Sequence, residues 1–126
     1  MTRGVTLDAG ALIALDRGDR RVVALLARAL ETSARVTVPA TALAQAVRNP
    51  ARQARLGRLV RQPTTDVVVL DRVDATSVGR LLAASGTADV IDAHVVLCAR
   101  RTGQAVVTSD PTDLRHLDPS LTLVEI

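Results

Sequence analysis

The sequence predicts a three-layer α/β domain, with helices covering both faces of a central, mainly parallel five-stranded sheet. Three observations predict it. Short apolar segments alternate with helical ones along the chain. Those segments are apolar throughout rather than at every second residue. No repeat, low-complexity stretch or linker divides the 126 residues. A strand that is apolar on both sides belongs in a sheet covered on both faces. Residues 1–126 therefore read as one domain, long enough to bury roughly two-thirds of the surface its unfolded chain exposes.

The elements follow in order. "GVTL" is a buried strand ending at Asp8, and "AGALIAL" is a helix starting directly after it. "DRGD" is a polar break. "RRVVALLARALETSA" is helical, with Val22, Leu25, Leu26 and Leu30 on one face. "RVTVP" is the second strand, stopped by Pro39. "ATALAQAVRN" and "ARQARLGRLVRQ" are helices separated at Pro50, a residue that suits a first helical turn. "DVVVL" is a strand, and "DATSVGRLLAAS" a helix that Gly86 ends. "DVIDAHVVLCARR" is a helix capped by Thr87, with two arginines placed against its negative dipole end. "QAVVT" is a strand, "PTDLRHL" a helical turn and "LTLVEI" the last strand.

Composition narrows the function. With no Phe, Tyr or Trp, the core must be filled by Leu, Val, Ile and Ala, and bases cannot stack on aromatic rings. The net charge is +3, and all sixteen basic residues are arginine, whose planar fork grips phosphate. A coding bias toward Arg and Ala explains the same excess equally well. The chain has no lysine, which removes P-loop nucleotide hydrolysis. The N-terminal stretch is interrupted by Asp8 and lacks a cleavage pattern, so no signal peptide is expected. "VVALLARAL" is too short to span a bilayer. Cys98 is a single thiol on the apolar part of a helix, which fits a cytoplasmic protein without disulfides.

The carboxylates carry the chemistry. Asp8 ends the first strand and Asp110 follows the fourth by two residues, whereas Asp89 and Asp92 open one helix and Asp113 the next. In an open parallel sheet, ligands sit beyond the carboxyl ends of the strands, where strand order reverses. If the first and fourth strands are neighbours there, Asp8 and Asp110 face one crevice. Two carboxylates about 4 Å apart repel by roughly 1 kcal/mol in water and roughly 4 kcal/mol at an effective dielectric near 20. A cluster of them sheds a charge by protonation or recruits a cation. Oxygen ligands suit Mg²⁺ or Mn²⁺, which stabilise charge on a phosphodiester and activate water for its hydrolysis.

Each acid also has a structural reading. Asp89 is accounted for as an early-helix charge and Asp113 as a helix-start residue. Asp110 suits either a cap of the "PTDL" turn or a ligand. Asp92 stands among apolar Ile91, Ala93 and Val95, and Asp8 lies between strand and helix with no turn chemistry nearby. His94 reads as a satisfied helix histidine and His116 as a surface residue. Arg48, Arg52, Arg55 and Arg58 recur at helical spacing as a basic stripe, either a solvated face or a contact for RNA phosphates.

In their order along the chain, these segments resemble the PIN domain, and within it the VapC-type toxins of bacterial toxin–antitoxin pairs. "TLDAGALIAL" matches the family's Asp after strand one, "VPATALAQAV" its Pro-led helix, "DAHVV" its Asp helix and "VVTSD" its Asp after strand four. The resemblance covers nearly the whole chain and is strongest after Thr87. It implies that Asp8, Asp92 and Asp110 bind Mg²⁺, with Mn²⁺ as substitute, that Asp89 and Asp113 lie nearby, and that Ser109 adds a hydroxyl. It also implies a cytoplasmic homodimer that cuts RNA and is silenced by a VapB-type antitoxin. Gln45 falls where the family has a catalytic Glu. It has nearly the same shape but no charge, so it weakens a cation's hold and cannot act as a base. The alternative is a PIN-like module that holds RNA or a partner without cutting. A response-regulator receiver, suggested by "DVVVLD" with Asp71 as phosphoacceptor, is disfavoured by the missing lysine.

Overall fold

In a computed structural model, which describes residues 4–126, five strands form one sheet in the order β3-β2-β1-β4-β5, every neighbouring pair parallel. The strands are β1 (Val5–Leu7), β2 (Val36–Pro39), β3 (Thr65–Val68), β4 (Ala105–Thr108) and β5 (Leu123–Glu125). Seven helices flank them: α1 (Ala9–Asp16), α2 (Arg20–Glu31), α3 (Ala40–Ala46), α4 (Ala54–Val60), α5 (Arg72–Ser85), α6 (Val90–Thr102) and α7 (Pro111–Leu117). The expected three-layer α/β class stands. Met1 to Arg3 of the expected span lie outside the described residues.

Strand order places the reversal between β1 and β4. From β1 the chain moves outward through β2 to β3, then returns to the other side of β1 for β4 and β5. Thr6 pairs with Thr37 on one side and Val106 on the other. The Thr6 hydroxyl also donates to Gln104 Oε1 at 2.8 Å, pinning the start of β4 to β1. α1, with α2 and α4 beside it, packs on one face; α6, flanked by α5 and α7, packs on the other; α3 touches both α1 and α6.

The core is aliphatic. Leu7, Leu12, Val22, Val38, Val95, Val96, Val106, Val107 and Leu114 are all but sealed from solvent. Cys98 is buried with them, and burial pushes its thiol up to about 11, so it is inert at neutral pH.

Four local expectations need correction. β3 is an edge strand with Asp66 and Val67 exposed, not a fully buried one, because sheet order is invisible to periodicity. Leu30 does not join Val22, Leu25 and Leu26 against the core and is 52% exposed. The helix expected to run to Asn49 ends at Ala46, and a short 3-10 turn, Pro50–Arg52, intervenes before α4. The cap of α6 is Asp89, not Thr87, whose hydroxyl instead meets that of Ser85 at 2.8 Å. Gly86 does close α5, at φ +70, a conformation that L side chains rarely adopt. Among the described residues, no single helix is long and apolar enough to cross a membrane.

Candidate active site at the carboxyl edge of the sheet

Asp8 and Asp110 leave adjacent strands at the point of reversal. The Asp8 backbone N–H donates to Val107 O at 3.3 Å, carrying the β1–β4 pairing one residue past the strand. Its carboxylate accepts the N–H of Ala11 at 2.8 Å, so Asp8 is the cap of α1. That corrects the expectation that no turn chemistry surrounds it: the helix begins one residue later, and one oxygen is engaged in starting it. Asp8 is 94% buried, and burial raises its pKa. Hydrogen bonds from Thr108 and Ala11 oppose the rise, while the charge of Asp110 adds to it.

Thr108 links the two acids. Its hydroxyl bonds to the Asp8 carboxylate and accepts the Asp110 N–H at 2.9 Å. The sequence signal was present in "VVTSD", but only the strand pairing shows that Thr108 serves both. Asp110 occupies the cap position of α7, yet its carboxylate makes no capping bond. The cap reading of Asp110 therefore falls.

Ser109 lies over Gly10. A Cβ at residue 10 would stand 2.2 Å from Ser109 Oγ and 3.5 Å from Asp8 Oδ1, so a side chain there would displace the Ser109 hydroxyl from its place.

Asp92, on the first turn of α6, is pushed up to about 6. Burial is the largest cause, followed by the charges of Asp89, Asp113, Asp8 and Asp110. One side chain thus senses all four other acids. Asp89 caps α6 through Asp92 N–H at 2.9 Å, as its structural reading requires. Asp113 is exposed on the first turn of α7. Asp89, Asp92 and Asp113 share a cleft with His116, whose Nε2 lies 3.0 Å from Ser85 O. His116 is exposed, as expected, but its place beside the acids was missed; the signal was its position three residues after Asp113 on one helix.

Of the eight acids outside this edge, four are ion-paired. Asp66 pairs with Arg35, Asp74 with Arg101, Asp118 with Arg100 and Asp19 with Arg21. Arg100 and Arg101, expected only to oppose the helix dipole, are thus ties from α6 to Asp118 and to α5. None of Asp8, Asp89, Asp92, Asp110 and Asp113 has an ion-pair partner among the described residues, in a chain with sixteen arginines.

The acids fit a hard divalent ion by donor type and by uncompensated charge. In position they do not yet close on one: among the described residues no three His, Cys, Asp or Glu side chains form a ready metal-binding group.

The remaining predicted residues sit elsewhere. Gln45 is exposed on the last turn of α3, the helix set against both α1 and α6, and its side chain bonds to none of the described residues. The four arginines do not form one helical stripe, because the 3-10 turn separates them. Arg48 folds back onto the Ala44 and Val47 carbonyls, Arg52 belongs to the 3-10 turn, and only Arg55 and Arg58 share a helix. His94 is buried; its Nδ1 meets Thr41 Oγ1 at 2.7 Å, tying α6 to α3, while Nε2 faces the Val69 main chain without closing a hydrogen bond. Burial lowers its pKa, so it is neutral at pH 7 and only half satisfied.

No protein-family model matches the chain, and neither does any curated protein. A solved structure does: FitAcB from Neisseria gonorrhoeae, with a TM-score of 0.64 and 17% identity, covering 96% of this chain and 96% of that one. At that identity the likeness is one of fold. The fold is PIN-like. In this PIN-like sheet β3 lies at the edge, and Asp71 caps α5 through Asp74 N–H at 2.8 Å. A receiver would need its phosphoacceptor strand inside the sheet, in the order 2-1-3-4-5, so the topology excludes that alternative.

Proposed function

We propose that the protein is a metal-dependent endoribonuclease, the toxin of a toxin–antitoxin pair, with Asp8, Asp92 and Asp110 as its metal-binding acids. The observation that carries this reading is the Asp92 carboxyl, raised to about 6 by burial and by the charges of Asp89, Asp113, Asp8 and Asp110 around the β1–β4 reversal. Such a group relaxes by taking up a cation. Mg²⁺, or Mn²⁺ in its place, would supply charge stabilisation for the phosphodiester and an activated water.

The chain's own residues would do the rest. Asp8 and Asp110 are held at fixed separation by Thr108, and Asp92 faces them from α6. Asp89 and Asp113 add charge at the rim, and Ser109 presents a hydroxyl beside Gly10. The sequence resemblance to VapC-type toxins supports RNA as substrate, a VapB-type antitoxin as partner, a homodimer and a cytoplasmic setting. The PIN-like fold is compatible with all four.

The test is cleavage of a labelled single-stranded RNA with Mg²⁺ or Mn²⁺. Cleavage should appear with metal, vanish with chelator and fall by at least 100-fold in Asp8→Asn and Asp92→Asn. Equal cutting by the parent and both variants would show that these acids are not the site. The second reading, a module that binds without cutting, is favoured by Gln45 at the family's Glu position. Gln45→Glu separates the two: on the nuclease reading it raises the rate at low Mg²⁺, whereas a binding module stays inactive.

A further inference from the structure

A groove leads away from the acids along α1. It is lined by Gly10 and Ser109 at the site, by Ile13 and Ala14 along the helix, and by Gly18 and Arg17 at the far end. Glycine and alanine leave it open, and Ser109 sits where a side chain at residue 10 would stand. At 1.5 Å per residue, Arg17 lies about 14 Å from Asp8 along the helix axis.

The far end of the groove carries one arginine, Arg17, and one aspartate, Asp19. Arg17 is exposed and has no ion-pair partner among the described residues. Asp19, the acid in the groove wall, is already committed: its carboxylate accepts the N–H groups of Arg21 and Val22 at 2.9 and 3.3 Å and pairs with the Arg21 guanidinium at 3.3 Å. Asp19 therefore leaves the charge of Arg17 uncompensated. Arg55 brings a second guanidinium to the same end, packed on Gly18 and donating to Asp16 O at 3.4 Å.

We propose that this groove holds single-stranded RNA on one side of the scissile phosphodiester, with Arg17 gripping a backbone phosphate, an inference that rests on the nuclease reading. The small walls suit a sugar–phosphate chain rather than stacked bases, consistent with a protein that has no aromatic side chains. The grip is independent of base identity, because it is made to phosphate.

The experiment measures kcat and KM for single-stranded RNA cleavage by the intact chain in Mn²⁺ over a series of salt concentrations. The parent is compared with Arg17→Ala, Arg17→Lys and Arg80→Ala; Arg80 is exposed on α5, outside the groove. Arg17→Ala should raise KM several-fold at low salt with kcat within about two-fold of the parent. It should also flatten the dependence of log(kcat/KM) on log salt by about 0.7, the share of one phosphate on a single strand. Arg17→Lys should restore most of that slope, and Arg80→Ala should change nothing. If the parent cuts RNA and Arg17→Ala behaves like Arg80→Ala, the groove is not the RNA path, though the nuclease reading stands. A parent that cuts no RNA overturns both.

Discussion

The Asp89 carboxylate accepts the backbone N–H of Asp92 at 2.9 Å, and the same carboxylate is the strongest of the charges opposing ionisation of the Asp92 side chain. One residue thus starts α6 and burdens the acid that α6 presents. Asn caps a helix as well as Asp does, so Asp89→Asn should leave stability within about 0.5 kcal/mol of the parent. It should nevertheless move the Asp92 pKa down from about 6. A carbon-detected NMR titration of the aspartate carboxyls reads this directly; an unmoved Asp92 would mean that burial and the other acids hold the proton without Asp89.

The raised pKa of Asp92 makes a stability prediction with a definite sign. Folding favours its protonated form, so its contribution is intact below about pH 4 and is lost as pH rises toward about 6. Above that, the folded chain carries the full repulsion. Asp92→Asn should therefore stabilise the metal-free protein at pH 7.5 by ~1–2 kcal/mol, after screening of a half-buried group is allowed for. At pH 4 the gain should vanish. Urea unfolding at the two pH values checks it, and a loss of stability at pH 7.5 would show that the Asp92 carboxylate has a stabilising partner.

Asp74 should behave in the opposite way. Arg101 donates to both of its carboxylate oxygens, at 2.7 and 3.1 Å, and holds its pKa below the usual range. Its contribution is therefore present at neutral pH and lost as pH falls through the lowered pKa. Arg101→Ala should lower the urea midpoint at pH 7 and have less effect at pH 3. Because the pair ties α5 to α6 away from the acids, RNA cleavage at a temperature where the variant is folded should match the parent.

The fold was legible because its strands are continuous apolar runs between helical segments, and the acids were legible because Asp8 and Asp110 stand one and two residues past such runs. Sheet order was not. Nothing in "DVVVL" separates an edge strand from a central one, which is why β3 was expected to be buried. Cap identity was lost at the scale of one or two residues: Asp8 and Asp89 cap their helices, but Thr87 and a bare strand end read equally well in one dimension. The Arg48–Arg58 spacing matched a helix that Pro50 replaces with a 3-10 turn. Thr108, His116 and the pairs made by Arg100 and Arg101 join segments far apart in sequence, and no periodicity reports such contacts.

The measurement closest to the central claim is a calorimetric titration of the metal-free protein with Mn²⁺ at pH 7.5, run in parallel on Asp8→Asn, Asp92→Asn and Asp110→Asn. If the five acids form the ion's site, the parent binds Mn²⁺ with almost no proton release at pH 7.5, where Asp92 is already ionised. Each substitution should then weaken binding by at least ten-fold, and the protons released should increase as the pH is lowered toward 6. Mn²⁺ binding that is absent in the parent, or present and unchanged in all three variants, would contradict the assignment of the metal site.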